Sequence, residues 1–432
     1  MKIKNFKELN ISSMREDALM IADTGLEAID SQKIIRESIK LDGNSLCVQD
    51  KVCSLQDTDR VFVVGVGKCS LVAVEALEGI LGKRISGGIV IDVQDPSKSN
   101  LRYVEYMMGT HPMPSEQNIE AACQIHAMLG GVTEKDLVIC LISGGGSTLL
   151  CLPEAGMMCV NEEAVLRQLF KAGATIQEIN TIRKHTSLLR GGQLAKQAYP
   201  AQVFSLIFSD VPGDDLSCVA SGPTVKDDTT VACADEILIK YNILKKSGLE
   251  HCGLMETPKE DKYFEKVYNI LISSNQIAIE AMKQEAEERG YETEVCSKCL
   301  TGEAREVASG VVKNLHSKNS GTAIIYGGET TVVVRGKGKG GRNREMALAA
   351  LQEIRDDELL LAIASDGNDH GEYAGAVVDK YTKEKVKSSN LVISDFLDNN
   401  NAAVFFEKVG GHILTGQTGS NVSDLTILIK EK

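Results

Sequence analysis

One recurring pattern governs what this chain can fold into. A short run of β-branched and other apolar residues is followed by a Gly-rich or polar turn and then by a stretch with helical spacing. Arg60-Val-Phe-Val-Val-Gly65, Gly88-Ile-Val-Ile-Asp92, Asp136-Leu-Val-Ile-Cys-Leu-Ile142 and Gln202-Val-Phe-Ser-Leu-Ile-Phe208 are apolar nearly throughout. Strands covered on both faces need that composition, so the pattern predicts an α/β fold with a buried parallel sheet. Between the third and fourth runs, Thr175-Ile-Gln-Glu178 has the form of a capping box. It predicts a helix with Ile176, Ile179 and Ile182 on one face and with Arg183 and Lys184 near its end.

The chain has 432 residues, too many for one ordinary core, so roughly two to three domains are expected. The pattern fades after Thr224, and the polar stretch Glu256-Thr-Pro-Lys-Glu-Asp-Lys262 is the expected linker. It divides the chain into an N-terminal domain over 1–255 and a smaller one over 266–432. Strands are expected there at Tyr268–Ile272, Thr293–Cys296, Thr322–Tyr326, Thr330–Val334 and Leu359–Ala364. Gly327-Gly-Glu-Thr330 is too short for a helical crossover, so the last strands are expected to pair antiparallel.

Charge narrows the partners. Forty-seven Lys and Arg against sixty Asp and Glu leave a formal charge of -13, which argues against nucleic acid or an anionic membrane as the main partner. The start, Met1-Lys-Ile-Lys-Asn-Phe-Lys7, lacks a signal-peptide pattern, and no apolar run approaches the roughly 20 residues of a membrane span. A cytoplasmic protein with reduced thiols at its twelve cysteines is expected. The single CxxC, Cys296 to Cys299, is weak evidence for zinc, and Cys69 beside Lys68 reads as a packed loop thiol.

The loops after the expected strands hold the candidate chemistry. Gly65-Val-Gly-Lys68 fits neither a Walker A loop nor a full dinucleotide fingerprint, because Phe62 and Ser70 stand where glycines are needed. Lys68 in a strand-to-helix turn still suits an anion. Asp92, closing the next strand, would suit a ribose and keeps a dehydrogenase open. Ser143, Gly144, Gly145, Gly146 and Ser147 can form a backbone nest for phosphate, with flexible-turn chemistry as the plainer reading. Asp210 stands at a strand end, placed to hold a metal or take a proton, whereas Asp214 and Asp215 resemble turn-formers. Arg342 opens an expected helix and could grip a carboxylate or phosphate with two hydrogen bonds. Asp366, Asp369 and His370 suit a metal site and a plain turn equally.

Taken in order, Gly65-Val-Gly-Lys68, Gly109-Thr-His-Pro112, Ser143-Gly-Gly-Gly-Ser147, Arg183-Lys-His185, Ser209-Asp-Val-Pro-Gly-Asp214, Ser221-Gly-Pro-Thr224, Gly340-Gly-Arg-Asn343 and Asp424-Leu425 resemble the class II glycerate 2-kinase family over nearly the whole chain. The last third, about 320–428, resembles the MOFRL domain, and some family members carry the older label hydroxypyruvate reductase. The resemblance implies two α/β/α domains, a larger Rossmann-like parallel-sheet domain and a smaller mixed-sheet domain, with the active site in the cleft between them. It carries over Lys68 and Asp210 from the first domain, and Glu329, Arg342 and Asn421 from the second. Two segments depart from the family pattern: Ala364-Ser-Asp-Gly-Asn-Asp-His-Gly371 and Asn343-Arg-Glu345.

The expected activity is ATP-dependent phosphorylation of glycerate at its 2-hydroxyl, with Mg²⁺. Phosphoryl transfer asks mainly for positioned anions and neutralised charge. Residues 143–147 are then expected to cradle nucleotide phosphates. Lys68 and Arg342 neutralise the transferring group or clamp the substrate carboxylate, Asp210 orients or deprotonates the hydroxyl, Glu329 or Asp366 helps hold Mg²⁺, and Asn421 completes the site. A homodimer is an open expectation. The rivals are a nicotinamide-dependent hydroxypyruvate reductase, a kinase of a related hydroxy acid, and a sugar-phosphate sensor.

Overall fold

The computed structural model describes residues 1–95, 97, 99–154, 159–211 and 213–432, and of residues 159 and 160 the backbone alone. It divides into two compact units, Ser31–Ser273, and Met1–Asp30 together with Ser274–Lys432.

The unit Ser31–Ser273 begins with an antiparallel sheet of β1 (Ile39–Asp42), β2 (Ser45–Val48) and β3 (Lys51–Ser54). Its main sheet contains β4 (Arg60–Val66), β5 (Ile85–Asp92), β6 (Glu105–Met108), β7 (Asp136–Ile142), β8 (Gln202–Phe208) and β9 (Val267–Ser273). The order is β6-β5-β4-β7-β8-β9, with every neighbouring pair parallel. This is the doubly wound arrangement, and its order reverses between β4 and β7, the place where open α/β sheets bind ligands. All four expected strands are present. β7 is buried along its whole length, which its apolar sequence requires. Its one acid, Asp136, is held by Arg60 through Nε at 2.9 Å and Nη2 at 2.6 Å. The capping box is also present: Thr175 accepts from the Glu178 N–H, and Glu178 accepts from the Thr175 N–H.

The second unit has a mixed sheet of β10 (Glu292–Leu300), β11 (Thr322–Gly328), β12 (Glu358–Ala364), β13 (Gly375–Val378), β14 (His412–Ile413) and β15 (Asp424–Lys430). The order is β10-β11-β15-β12-β13-β14, with only β10 and β11 parallel. Thr330–Val334, expected as a strand, is not one; Thr331 alone bridges to Glu303. The apolar C-terminal strand β15 takes the place beside β11 instead. Val333 and Val334 are left 55% and 75% exposed, without the burial that would reward a strand there.

The boundaries differ from the expected 1–255 and 266–432. Tyr268–Ile272 lies in β9 and pairs parallel with β8, so it completes the first sheet. The expected linker is fastened inside the same unit, where Thr257 donates to Asp227 at 3.1 Å and Lys226 pairs with Asp261 at 2.5 Å. The first thirty residues fold with the C-terminal unit. Helix Ser13–Ala28 buries Met14, Ala18, Leu19, Ile21, Ala22 and Leu26, and packs on helix Asn275–Glu288. Its Arg15 grips Asp379 through two 2.7 Å hydrogen bonds, both residues being buried.

No helix among the described residues is long and apolar enough to cross a membrane. Ten of the described cysteines are free thiols, but Cys151 is disulfide-bonded, a departure from the expectation of reduced thiols throughout.

Candidate active site

In the parallel-sheet unit, the loops after β4 and β7 interlock at the point where strand order reverses. Ser143 donates its N–H to Val66 at 2.8 Å, and Lys68 donates its N–H to Gly144 at 3.0 Å. Gly67 has φ +121°, and a Cβ on it would stand 2.1 Å from Ser143 Oγ, so the loops fit together only with glycine at that position. Lys68 is thereby presented beside Gly144, Gly145 and Gly146.

The two hydroxyls of this loop are engaged from within. Ser143, fully buried, accepts from the Cys69 N–H at 3.4 Å, and Ser147 Oγ lies 2.8 Å from Ser221 Oγ. Ser221 donates to Asn180 at 3.1 Å, and Arg190 donates to the Ser147 carbonyl at 3.0 Å. The shape of the Gly-rich turn is therefore fixed by Ser221, Asn180 and Arg190. Asp210 follows β8, next to β7 in the sheet, and is partly buried. Asp214, with φ +56°, and Asp215, which accepts from the Ser217 N–H at 2.9 Å, form turns as expected. Pro212 of this motif lies outside the described residues.

Asp92 does not serve a ribose here. It is fully buried, and its carboxylate accepts from the Leu71 N–H at 3.0 Å and the Val93 N–H at 2.6 Å. Burial pushes its pKa up to about 6, against the backbone N–H groups of Leu71, Val93 and Gln94 that favour ionisation. Its work is to bind the first turn of helix Ser70–Leu81 to β5. The dehydrogenase reading loses its acidic anchor.

In the mixed-sheet unit, the C-terminal ends of β11 and β12 and the N-terminal end of β15 lie together. Arg342, the first residue of helix Arg342–Ala350, meets Asp424 through Nε at 2.5 Å and Nη2 at 2.9 Å, and Glu329 through Nη1 at 2.9 Å. Asp424 is almost wholly buried. Burial raises its carboxyl to about 7, opposed by the hydrogen bonds and charge of Arg342. Arg342 is itself held in its charged form by Asp424, then by Glu329 and Asp369, against its desolvation. Asp366 and Asn421 stand on adjoining loops, which are joined where Ser365 accepts from the Val422 N–H at 2.9 Å and Thr418 donates its hydroxyl to the Ser365 carbonyl at 2.5 Å. Asp369 takes the turn reading. Buried, it accepts from the N–H groups of Asn343 and Arg344 at 2.9 and 3.0 Å and so caps the Arg342 helix. His370 is exposed, with φ +60°.

Among the described residues no group of three or more His, Cys, Asp or Glu side chains is arranged to hold a metal. A Mg²⁺ ion that travels with a nucleotide needs only one or two protein carboxylates, its other positions going to water and phosphate. Asp210 and Asp366 are each partly buried near a strand end, and Glu329, half-exposed, pairs with Arg342 at 2.9 Å.

Sequence reasoning assigned no role to three further residues. Asp424 was visible as part of a motif, but its hold on Arg342 joins residues 82 apart in the chain. His111 and Arg183 stood in quoted motifs without a role. His111 has its pKa pushed down to about 4, by burial and then by the positive charges of Lys68 and Arg183.

A doubly wound sheet with a lysine and a triple-glycine turn at its switch point, in one chain with a mixed-sheet unit, defines an α/β protein of the class whose switch-point loops suit anionic ligands. Residues 17–251 match the family described as Domain of unknown function (DUF4147), and residues 322–424 match the MOFRL family. The chain is 35% identical to a glycerate 2-kinase of Pyrococcus horikoshii, covering 96% of this chain and 97% of the relative. It is 34% identical to a D-glycerate 2-kinase of Thermotoga maritima, covering 96% and 98%. A crystal structure of glycerate kinase from Thermotoga maritima, 33% identical, superposes with a TM-score of 0.82 over 97% of this chain and 99% of that one. The chain belongs to the glycerate kinase family that joins a DUF4147 region to a MOFRL region.

Proposed function

We propose that the chain transfers the γ-phosphoryl group of ATP to the 2-hydroxyl of glycerate, giving 2-phosphoglycerate and ADP in the cytoplasm. The observation that carries this reading is Lys68 beside Gly144–Gly146 at the switch point of the sheet, in a chain similar along nearly its whole length to glycerate 2-kinases.

The turn 143–147 holds nucleotide phosphates, and Lys68 supplies positive charge where negative charge develops. Asp210 orients the attacking hydroxyl and accepts its proton. Arg342, fixed by buried Asp424, receives a substrate anion through Nη1 in exchange for Glu329, whose side chain is 50% exposed and can swing away. Asn421 contributes a neutral hydrogen-bonding group. Asp210 or Asp366 would hold a Mg²⁺ ion, which would supply charge neutralisation for the ATP phosphates.

Purified protein with glycerate, ATP and Mg²⁺ is expected to release ADP in a glycerate-dependent way. With hydroxypyruvate and reduced nicotinamide cofactor it is expected to leave the nicotinamide absorbance unchanged. The opposite pair of results would assign it to the reductases.

A further inference from the structure

Arg183-Lys-His185 ends the helix Ile176–Lys184, and its basic residues have different partners. Lys184 forms a buried ion pair with Asp227 at 3.0 Å. His185 is buried between the Met255 carbonyl at 2.8 Å and Thr229 Oγ1 at 3.1 Å. Both stabilise the fold. Arg183 differs: it is partly buried, its Nε is buried without a hydrogen bond, and among the described residues no carboxylate forms an ion pair with it. The acid that acts on it, Glu162, is already held by Arg190 through hydrogen bonds of 2.7 and 2.6 Å. Desolvation accordingly lowers the Arg183 pKa to about 10, with the charge of Arg190 acting the same way. A buried guanidinium Nε–H without an acceptor costs free energy, and a bound anion would relieve that cost.

Arg183 stands where such an anion would bind. One turn earlier on its helix, Asn180 accepts from Ser221, which reaches Ser147 of the Gly-rich turn. On the other side, a Cβ at Gly145 would lie 3.2 Å from Lys68 Cγ and 3.4 Å from His111 Cδ2. The charges of Lys68 and Arg183 both bear on His111, although much of that residue still meets solvent. Loops after β4, β6 and β7 thus converge with the end of this helix on one point.

We propose that Arg183 is a further phosphate-binding residue, gripping with Lys68 the phosphate chain of the nucleotide over the turn Gly144–Gly146, with His111 beside them. Two cations suit a polyphosphate better than the single charge of a carboxylate, and a guanidinium can meet phosphate oxygens with two parallel hydrogen bonds. His111 is neutral above about pH 4 and adds hydrogen bonding without charge. The inference takes the source of the phosphate from the kinase reading, but binding can be tested without turnover.

Inorganic tripolyphosphate is titrated calorimetrically into the full chain and its Arg183→Gln and Arg183→Lys variants, and the same proteins are assayed with varied ATP and varied glycerate. Arg183→Gln is expected to weaken tripolyphosphate binding and raise KM for ATP by about tenfold or more, with KM for glycerate within about twofold and Arg183→Lys intermediate. Its thermal midpoint is expected not to fall, because a buried Nε–H without an acceptor is removed; a merely structural arginine would lower it. Unchanged tripolyphosphate affinity in folded Arg183→Gln overturns the inference, as does a KM change confined to glycerate. If Arg183→Gln fails to fold, Arg183→Lys decides by the same affinities. An inactive wild type that binds tripolyphosphate through Arg183 would strike down the kinase reading and leave this inference standing.

Discussion

Arg342 holds Asp424 with two hydrogen bonds, at 2.5 and 2.9 Å, and this pair anchors the helix Arg342–Ala350 to the first residue of β15. The guanidinium is therefore oriented by a buried carboxylate before any substrate arrives. Removing one partner strands the other, so Arg342→Ala is expected to destabilise the fold by roughly 2–4 kcal/mol, read from urea unfolding. Arg342→Lys, a point charge in place of a fork, is expected to lose most activity and part of that stability. Full activity and stability in Arg342→Lys would reduce Arg342 to surface charge.

Lys68 should separate chemistry from folding. It is partly exposed, and its backbone N–H, which the substitution keeps, ties the loop to Gly144. Lys68→Ala is expected to fold normally and to lower kcat by about two orders of magnitude or more, since the charge acts chiefly in the transition state. Turnover within a few-fold of the parent would remove Lys68 from the mechanism.

Asp92 makes stability depend on pH in a direction unusual for a carboxylate. Burial raises its pKa in the folded chain to about 6, so the folded state binds the proton more tightly than the unfolded one. That contribution is fully present below the ordinary carboxylate range and is lost as pH rises through about 6. Asp92→Asn stays neutral at every pH. Relative to the variant, the parent is expected to lose roughly 2 kcal/mol of stability between about pH 4 and pH 7. A difference that stays constant in urea unfolding across that range would show Asp92 ionised throughout.

What could be read directly from the sequence was local. β7 announces itself through six consecutive apolar residues after Asp136, and the helix after Thr175 through a capping box four residues long. Lys68 and the Gly-rich turn were legible because each follows such a strand. The N-terminal helix gives no local sign of belonging with the C-terminal unit, because its anchor joins Arg15 to Asp379 across 364 positions. Arg183 and Lys184 look alike as neighbours at a helix end. Only Asp227, 43 residues beyond Lys184, shows that one is paired and the other is not. Thr330–Val334 misled for a related reason. Its β-branched residues have strand propensity, but β15 from the far end of the chain occupies the only neighbouring position on β11 that β10 leaves open.

The proposed reaction makes a demand on regiochemistry that can be checked in one coupled assay. Glycerate carries a secondary hydroxyl next to its carboxylate and a primary one a carbon further away. If one cation anchors the carboxylate while the phosphate chain is held in a fixed position, only one hydroxyl can lie in line with the transferring group. The 2-hydroxyl reading predicts 2-phosphoglycerate, which enolase dehydrates directly, whereas 3-phosphoglycerate must first pass through a mutase. With glycerate, ATP, Mg²⁺ and enolase but no mutase, the enolase signal is expected to rise without a lag. A signal that appears only after mutase is added would place the phosphate on the 3-hydroxyl, ending the 2-kinase assignment while leaving Lys68 and the Gly-rich turn as the phosphate site of a kinase.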